Sequence, residues 1–269
     1  MSDIRLTSSP WGFRQTQLID QFEWFRKVGL DYVCGQFFAE MPGMLDPGIS
    51  EFEIVKIRAT AGRYGLSYAS FNGDGDFMVA KNVEKEIATC IERIDKAVAF
   101  GPEVIIVFAG WQDRSDDAVY AQVSAALKQI ARHAARYNLT VALENHGGLT
   151  TTAQQINRIL DGVGEDNIGV NYDPANFLMY GEDPFKALKG LKHPITFTHF
   201  KSLKRTDGKK AYCRIREGEI DYVPILKELA KTYRGFYAIE YEEPSDVFAG
   251  SEDDLKSLKD LLTKAGVKL

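Results

Sequence analysis

The 269 residues carry a formal charge of −5 with a pI near 5.5, which argues against broad nucleic-acid binding, since that needs a basic face. Hydrophobic residues make up 45% and charged residues 26%, ordinary for a globular chain, and no stretch of about 18 apolar residues reads as a membrane span. Met1-Ser2-Asp3-Ile4-Arg5 lacks a long apolar leader, and Cys34, Cys90 and Cys213 are odd in number, far apart and without CxxC spacing, so the expectation is a cytoplasmic protein with reduced thiols.

Strand and helix signals alternate along the whole chain. Ile4 to Thr7 reads as a first strand, followed by a helix from about Gln15 to Val28 with Leu18, Phe22, Phe25 and Val28 at helical spacing. Tyr32 to Phe37 is a second strand. A Gly/Pro-rich loop from Met41 to Gly48 precedes a helix opened by Ser50 with Glu53 three residues on, a capping box. Leu66 to Phe71 is a third strand running into Asn72-Gly73-Asp74-Gly75-Asp76, a run too polar and glycine-rich to be core. A helix from Val83 to about Phe100 stops at Gly101-Pro102.

Val104 to Phe108 is the fourth strand, ended by Ala109-Gly110-Trp111, and Asp117 to Tyr137 is the next helix. Leu139-Thr140-Val141-Ala142-Leu143 then ends abruptly in Glu144-Asn145-His146-Gly147-Gly148. An uninterrupted apolar run of this kind reads as a strand buried on both faces, as in parallel sheets. Three later segments repeat the plan: Ile168 to Asp173, Ile195 to Lys201 and Gly235 to Glu242, with helices predicted over Thr152–Val163, Pro184–Leu191, Tyr222–Tyr233 and Asp253–Ala265, and a long loop from Lys201 to Gly218.

Each of the last four strands carries a metal-capable residue at or near its end: Glu144, Asp173, His199 and Glu240. An unpaired buried carboxylate costs several kcal/mol, so such residues need a compensating charge. Eight strand–helix units in this length, with no linker dividing them, point to a single-domain α/β protein, a (β/α)8 TIM barrel over residues 1–269. In such barrels the active site lies at the C-terminal ends of the strands, where these four residues fall.

The chain resembles the sugar isomerase/epimerase superfamily with the xylose-isomerase-like TIM barrel, which includes ketose 3-epimerases and inosose dehydratases. The residues that carry the resemblance are Leu143-Glu144-Asn145-His146, Tyr172-Asp173-Pro174-Ala175-Asn176, Thr198-His199-Phe200-Lys201, Glu217-Gly218-Glu219-Ile220-Asp221-Tyr222 and Ile239-Glu240. The resemblance implies that Glu144, Asp173, His199 and Glu240 hold one divalent cation, with the two glutamates on opposite faces of a bound sugar. Relatives of this kind are often dimers or tetramers. Three positions depart from the common pattern: Cys34 where many relatives have glutamate, Asn176 where the ketose 3-epimerases have histidine, and Arg216 where glycine is usual.

Three carboxylates and one imidazole make an oxygen-rich ligand set suited to Mn2+ first, then Mg2+ or Co2+. The expected chemistry is proton abstraction next to a carbonyl through an enediolate, with Glu144 and Glu240 as the acid/base pair. A dehydratase or lyase on the same scaffold is the alternative, because the same carbanion can expel a neighbouring group. A DNA-repair endonuclease would want more than the four histidines present. A non-catalytic sugar-binding module would bind without proton exchange.

His146, Asn176, Lys201, Trp111 and Arg216 are candidate substrate contacts. Lys201 shares strand parity with His199, and Glu242 relates to Glu240 in the same way. From Lys201 to Arg216 the chain carries seven basic residues against Asp207 alone. TIM barrels often bind phosphate near the loops after strands seven and eight. This segment is therefore either an anion site for a charged sugar or an ordinary solvated loop.

Overall fold

Parallel strands alternate with helices from Arg5 to Lys264 in a computed structural model that describes residues 4–268; Met1-Ser2-Asp3 and Leu269 lie outside the described residues. The strands of the main sheet are β1 (Arg5–Ser8), β2 (Tyr32–Gln36), β3 (Ser67–Asp74), β4 (Val104–Val107), β5 (Thr140–Glu144), β6 (Ile168–Tyr172), β7 (Ile195–Phe200) and β10 (Phe236–Ile239). They pair in the order β1-β10-β7-β6-β5-β4-β3-β2, each strand parallel to its neighbours. Thr7 Oγ1 donates to the Tyr32 carbonyl at 2.9 Å and links β1 to β2, so the sheet is a nearly closed barrel. The protein is a single TIM barrel domain.

The helices are α1 (Leu18–Lys27), α2 (Glu51–Arg63), α3 (Val83–Val98), α4 (Asp117–Ala135), α5 (Ala153–Val163), α6 (Pro174–Met179), α7 (Pro184–Gly190), α8 (Tyr222–Leu229) and α9 (Val247–Lys264). Ser50 caps α2 as expected: its Oγ accepts from Glu53 N at 3.3 Å, and its own N–H donates to Glu53 Oε2 at 3.0 Å. No described helix is long and apolar enough to cross a membrane.

Strand parity divides the barrel into an inside and an outside. Ala142 on β5, Phe197 on β7 and Phe236 and Ala238 on β10 fill the interior together with Cys34, Ala69, Val104 and Ile106. Small residues stand opposite the two rings, whose centroids are 5.7 Å apart, so the inner layer is a packed core and not a channel. The alternate residues of the same strands, among them Val141, Leu143, Val170, Phe200 and Ile239, pack outward against the helices.

The structure corrects several sequence boundaries. The helix expected from about Gln15 begins at Leu18, because Thr16 and Gln17 are extended, and a separate 3-10 turn at Trp11–Gln15 precedes it. The polar run after Phe71 continues β3 to Asp74, and Asn72 and Gly73 are buried. The helix expected from Asp253 starts at Val247. A further short helix, α6, follows β6 directly.

The long loop after β7 is an antiparallel hairpin, β8 (Ser202–Thr206) and β9 (Lys209–Cys213). Asp207 and Gly208 form its two-residue turn at φ 51° and 78°, the doubly left-handed geometry for which Asp-Gly is preferred.

Candidate metal centre

Two residues beyond Ala142, Phe197 and Ala238, the inward parity reaches the barrel mouth and presents Glu144, His199 and Glu240; on β6 it presents Asn171 and then Asp173. One donor atom from each of Glu144, Asp173, His199 and Glu240 lies within 4.8 Å of every other, and all four residues are buried. A single ion with bonds of about 2.0–2.3 Å holds ligand atoms up to about 4.6 Å apart, close to that spread.

Hydrogen bonds hold each side chain in place. Glu144 Oε2 accepts from Asn171 Nδ2 at 2.8 Å, and Oε1 accepts from Asn176 Nδ2 at 3.3 Å. Asp173 caps α6, with Oδ1 accepting from the backbone N–H groups of Ala175 and Asn176 at 2.8 and 3.1 Å. Its Oδ2 has no hydrogen-bond partner. Glu240 Oε1 accepts from Ser9 Oγ at 2.7 Å. His199 Nδ1 stands 3.4 Å from Glu144 Oε2 and 3.3 Å from Glu240 Oε1.

Lys201, 2% exposed, completes the cluster. Its Nζ is 2.7 Å from Glu240 Oε2, 2.6 Å from Glu242 Oε1 and 3.2 Å from Asp173 Oδ2, and it lies 4.5 Å from the centroid of the Tyr212 ring. Burial works to lower the lysine pKa, but Asp173, Glu240 and Glu242 outweigh it and hold the ammonium charged. Burial likewise opposes charge on His199, yet Glu240 and Glu144 raise the imidazole to about 9. Glu240 is pushed up by burial and down, more strongly, by His199 and Lys201, so it stays ionised. Asp173 moves the other way, raised mainly by burial.

These residues fit a divalent cation. Four carboxylates, counting Glu242, converge on the Lys201 ammonium and the His199 imidazole, and even with the imidazole protonated a surplus of negative charge is left that favours a further cation. Asp173 Oδ2, which accepts no hydrogen bond among the described residues and meets the Lys201 ammonium at 3.2 Å, and the oxygen-rich donor set point to the same kind of ion.

A cavity of about 660 Å³ opens over the cluster, lined among others by Glu144, Glu240, Lys201, His146, Trp111 and Trp11. His146 sits between Phe108 and Trp111, with ring centroids 5.3 and 5.2 Å away, and its Nδ1 has no partner. Gly147, at φ 90°, turns the chain there, and a Cβ on it would meet Tyr180 Oη at 2.5 Å. Trp111 is 49% exposed at the rim.

Asn176 is buried behind Glu144, accepting from Tyr212 Oη at 2.7 Å, so it orients the glutamate from beneath. Arg216 is not brought to the cavity; it is exposed and pairs with Asp253 at 2.9 Å. Four other basic groups of this segment are similarly engaged. Lys204 meets Glu217 at 3.1 Å, Arg205 meets Glu219 at 3.3 Å and Arg214 meets Asp246 at 2.6 Å, while Lys210 caps α6 through the carbonyls of Leu178 and Met179.

Three residues at the site escaped the sequence reading of roles. Asn171 was findable, since it shares parity with Asp173. Asn145, inside a quoted motif, spans β5 and β6: its Nδ2 donates to the Asp173 carbonyl and its Oδ1 accepts from the Asp173 N–H, both at 2.8 Å. Nothing local marks Ser9.

A family model for the xylose isomerase-like TIM barrel matches residues 22–262. The chain belongs to that family. Among curated relatives of this xylose isomerase-like barrel are inosose dehydratases. The one from Clostridium botulinum strain Alaska E43 is 23% identical over 158 residues, so the chain spans about half of its length (53%, from 52% of this chain). The one from Clostridium perfringens strain 13 is 21% identical over 223 residues, 71% of this chain and 75% of the relative.

Solved structures with the same fold include an IOLI protein with a binding zinc atom, at TM-score 0.83 and 16% identity, covering 97% of this chain and 99% of that one. An L-ribulose 3-epimerase superposes at TM-score 0.78 and 18% identity, covering 99% and 96%.

Proposed function

We propose that this protein is a divalent-metal-dependent isomerase or epimerase of a keto-sugar or sugar phosphate, working by proton transfer at the carbon next to a carbonyl. The observation that carries this reading is the placement of Glu144 and Glu240. They come from strands three places apart in the barrel, yet stand 3.4 and 3.3 Å from the same His199 nitrogen at the floor of a polar cavity.

Glu144, Asp173, His199 and Glu240 would hold the cation, manganese by preference and magnesium or cobalt next. When bound, it supplies Lewis-acid stabilisation of the charge that develops on the carbonyl oxygen. Glu240, paired with the Lys201 ammonium at 2.7 Å, takes the proton from one face of the substrate carbon. Glu144, carrying a proton taken up from solvent, returns it to the other face through Oε1, whose only hydrogen bond among the described residues is the 3.3 Å contact from Asn176. The roles exchange in the reverse direction. His146 and Trp111 hold the substrate from the rim, and Lys201 keeps Glu240 and Glu242 oriented. The three cysteines are unpaired, which suits a reducing cytoplasm.

A second reading, dehydration, is favoured by the Lys201 ammonium 2.7 Å from Glu240 Oε2. It could give a proton to a departing hydroxyl once Glu240 has taken one from carbon, as fits the resemblance to inosose dehydratases. Incubation of Mn2+-loaded protein with ketoses and ketocyclitols in deuterated water separates the two. Isomerisation or epimerisation adds deuterium with no loss of water; dehydration yields an unsaturated product. Absence of both across the panel would refute the proposed chemistry.

A further inference from the structure

We propose that the cavity wall facing the metal ligands, made by Gln36, Asn72, Asp74 and Arg93, selects an uncharged polyhydroxyl end of the substrate and rejects a phosphate or carboxylate there. This rests on the reading of the cavity as a site for a sugar-like molecule.

Gln36 ends β2 and Asn72 lies in β3; each is 7% exposed and lines the cavity. Gln36 Oε1 and Asn72 Oδ1 have no hydrogen-bond partner among the described residues. A buried acceptor left without a donor costs about 1–3 kcal/mol, and a ligand hydroxyl is a donor that removes the cost. The Gln36 amide has a defined orientation, because its Nε2 donates to Asp74 Oδ1 at 3.3 Å and leaves Oε1 free.

Asp74 has φ 57°, in the left-handed region that a residue other than glycine rarely occupies, at the point where the register of β3 against β4 shifts. Backbone strain of this kind persists where surrounding contacts over-determine it. Here the bend sets the carboxylate against Arg93, whose Nη1 donates to Asp74 Oδ2 at 2.7 Å and to the Gly73 carbonyl at 3.1 Å.

The Arg93 charge is thereby offset, and Asp76 and Glu86 add further negative charge to the same wall, opposed by the exposed Lys85. An entering phosphate therefore meets neutral acceptors and carboxylates, while a hydroxyl meets acceptors lacking donors. Charge repulsion discriminates by exclusion as well as by fit.

The test is binding to Mn2+-loaded protein, read by tryptophan fluorescence, since Trp11 and Trp111 line the cavity. Xylitol and xylitol 5-phosphate are suitable probes because neither has a carbonyl to react. Wild type is expected to bind xylitol at least about tenfold tighter than its phosphate, a difference of about 1.4 kcal/mol. Asp74→Asn keeps the side-chain shape, and asparagine tolerates a positive φ; it should raise phosphate binding by about tenfold. Arg93→Gln, which leaves Asp74 unopposed, should weaken phosphate binding further.

Equal binding of both probes by wild type, or no gain in folded Asp74→Asn as judged by its melting temperature, would overturn the charge selection and leave the sugar reading standing. Failure of both probes to bind any form would remove the sugar reading and this proposal together.

Discussion

Ser9 Oγ donates to Glu240 Oε1 at 2.7 Å and so joins the first barrel strand to the last across 231 positions of sequence. The bond does two things. It fixes one oxygen of the proposed base, and it helps hold Glu240 ionised against the effect of burial. Ser9→Ala is expected to cost about 1.5–3 kcal/mol, the range for a hydrogen bond to a charged group. At about 2–4 °C per kcal/mol for a chain of this size, calorimetry should show a fall of several degrees. The turnover number should fall as well, with little change in KM.

Metal uptake should expel a proton. In the metal-free protein His199 is raised to about 9, so the imidazole is protonated at neutral pH, whereas a metal ligand must be neutral. Apparent Mn2+ affinity should therefore rise with pH and level off above about 9. The enthalpy of binding at pH 7.5 should vary with the ionisation enthalpy of the buffer by close to one proton per ion. The stability that protonated His199 lends the metal-free form is full below the unfolded value of about 6.5 and is lost as pH rises through about 9. Isothermal titration in two buffers checks the proton, and melting curves from pH 6 to 10 check the stability.

Lys201→Met leaves Asp173, Glu240 and Glu242 without their shared ammonium. Breaking a buried pair from one side costs about 3–5 kcal/mol. The metal-free variant should be strongly destabilised, and added Mn2+ should recover more melting temperature in the variant than in wild type, because the ion then supplies the missing positive charge. Equal metal-induced shifts in the two proteins would show that Lys201 does not compensate the ligand carboxylates.

Glu144→Gln and Glu240→Gln should each lower the overall rate by at least about 10²-fold, the lower bound for losing a positioned acid or base. Their exchange behaviour should differ. If the two carboxylates serve opposite faces, each variant should still exchange deuterium into the substrate epimer that the remaining glutamate faces. NMR of both epimers in deuterated water reads this.

The quartet was legible because an apolar strand buried on both faces that ends in a carboxylate or imidazole has few innocent explanations. Parity along β7 then carried Lys201 with His199. The same logic would have yielded Asn171, but an asparagine inside an apolar run draws less notice than a charge. Arg216 shows where parity stops: it lies past the hairpin, where side-chain direction follows local turns and not strand alternation. The basic charge of residues 201–216 looked unbalanced only because Glu217, Glu219, Asp246 and Asp253, which answer it, lie later in the chain. The hairpin was readable from Asp207-Gly208, the strongest short-range turn signal available. Ser9 was not readable at all, since its role exists only once the sheet curls round to set β1 beside β10.

The Asn145 side chain clasps both polar groups of the Asp173 peptide, one step past the end of the β5–β6 ladder. It acts as an extra rung, so the ends of the two strands form one rigid plate carrying Glu144 and Asp173 at a set spacing. Segments that touch neither carboxylate, such as the hairpin tip at Asp207-Gly208, are then free to lengthen, shorten or change sequence without disturbing that spacing. The distance between the two carboxylates is in this way set by the sheet itself, before any helix or loop packs over it.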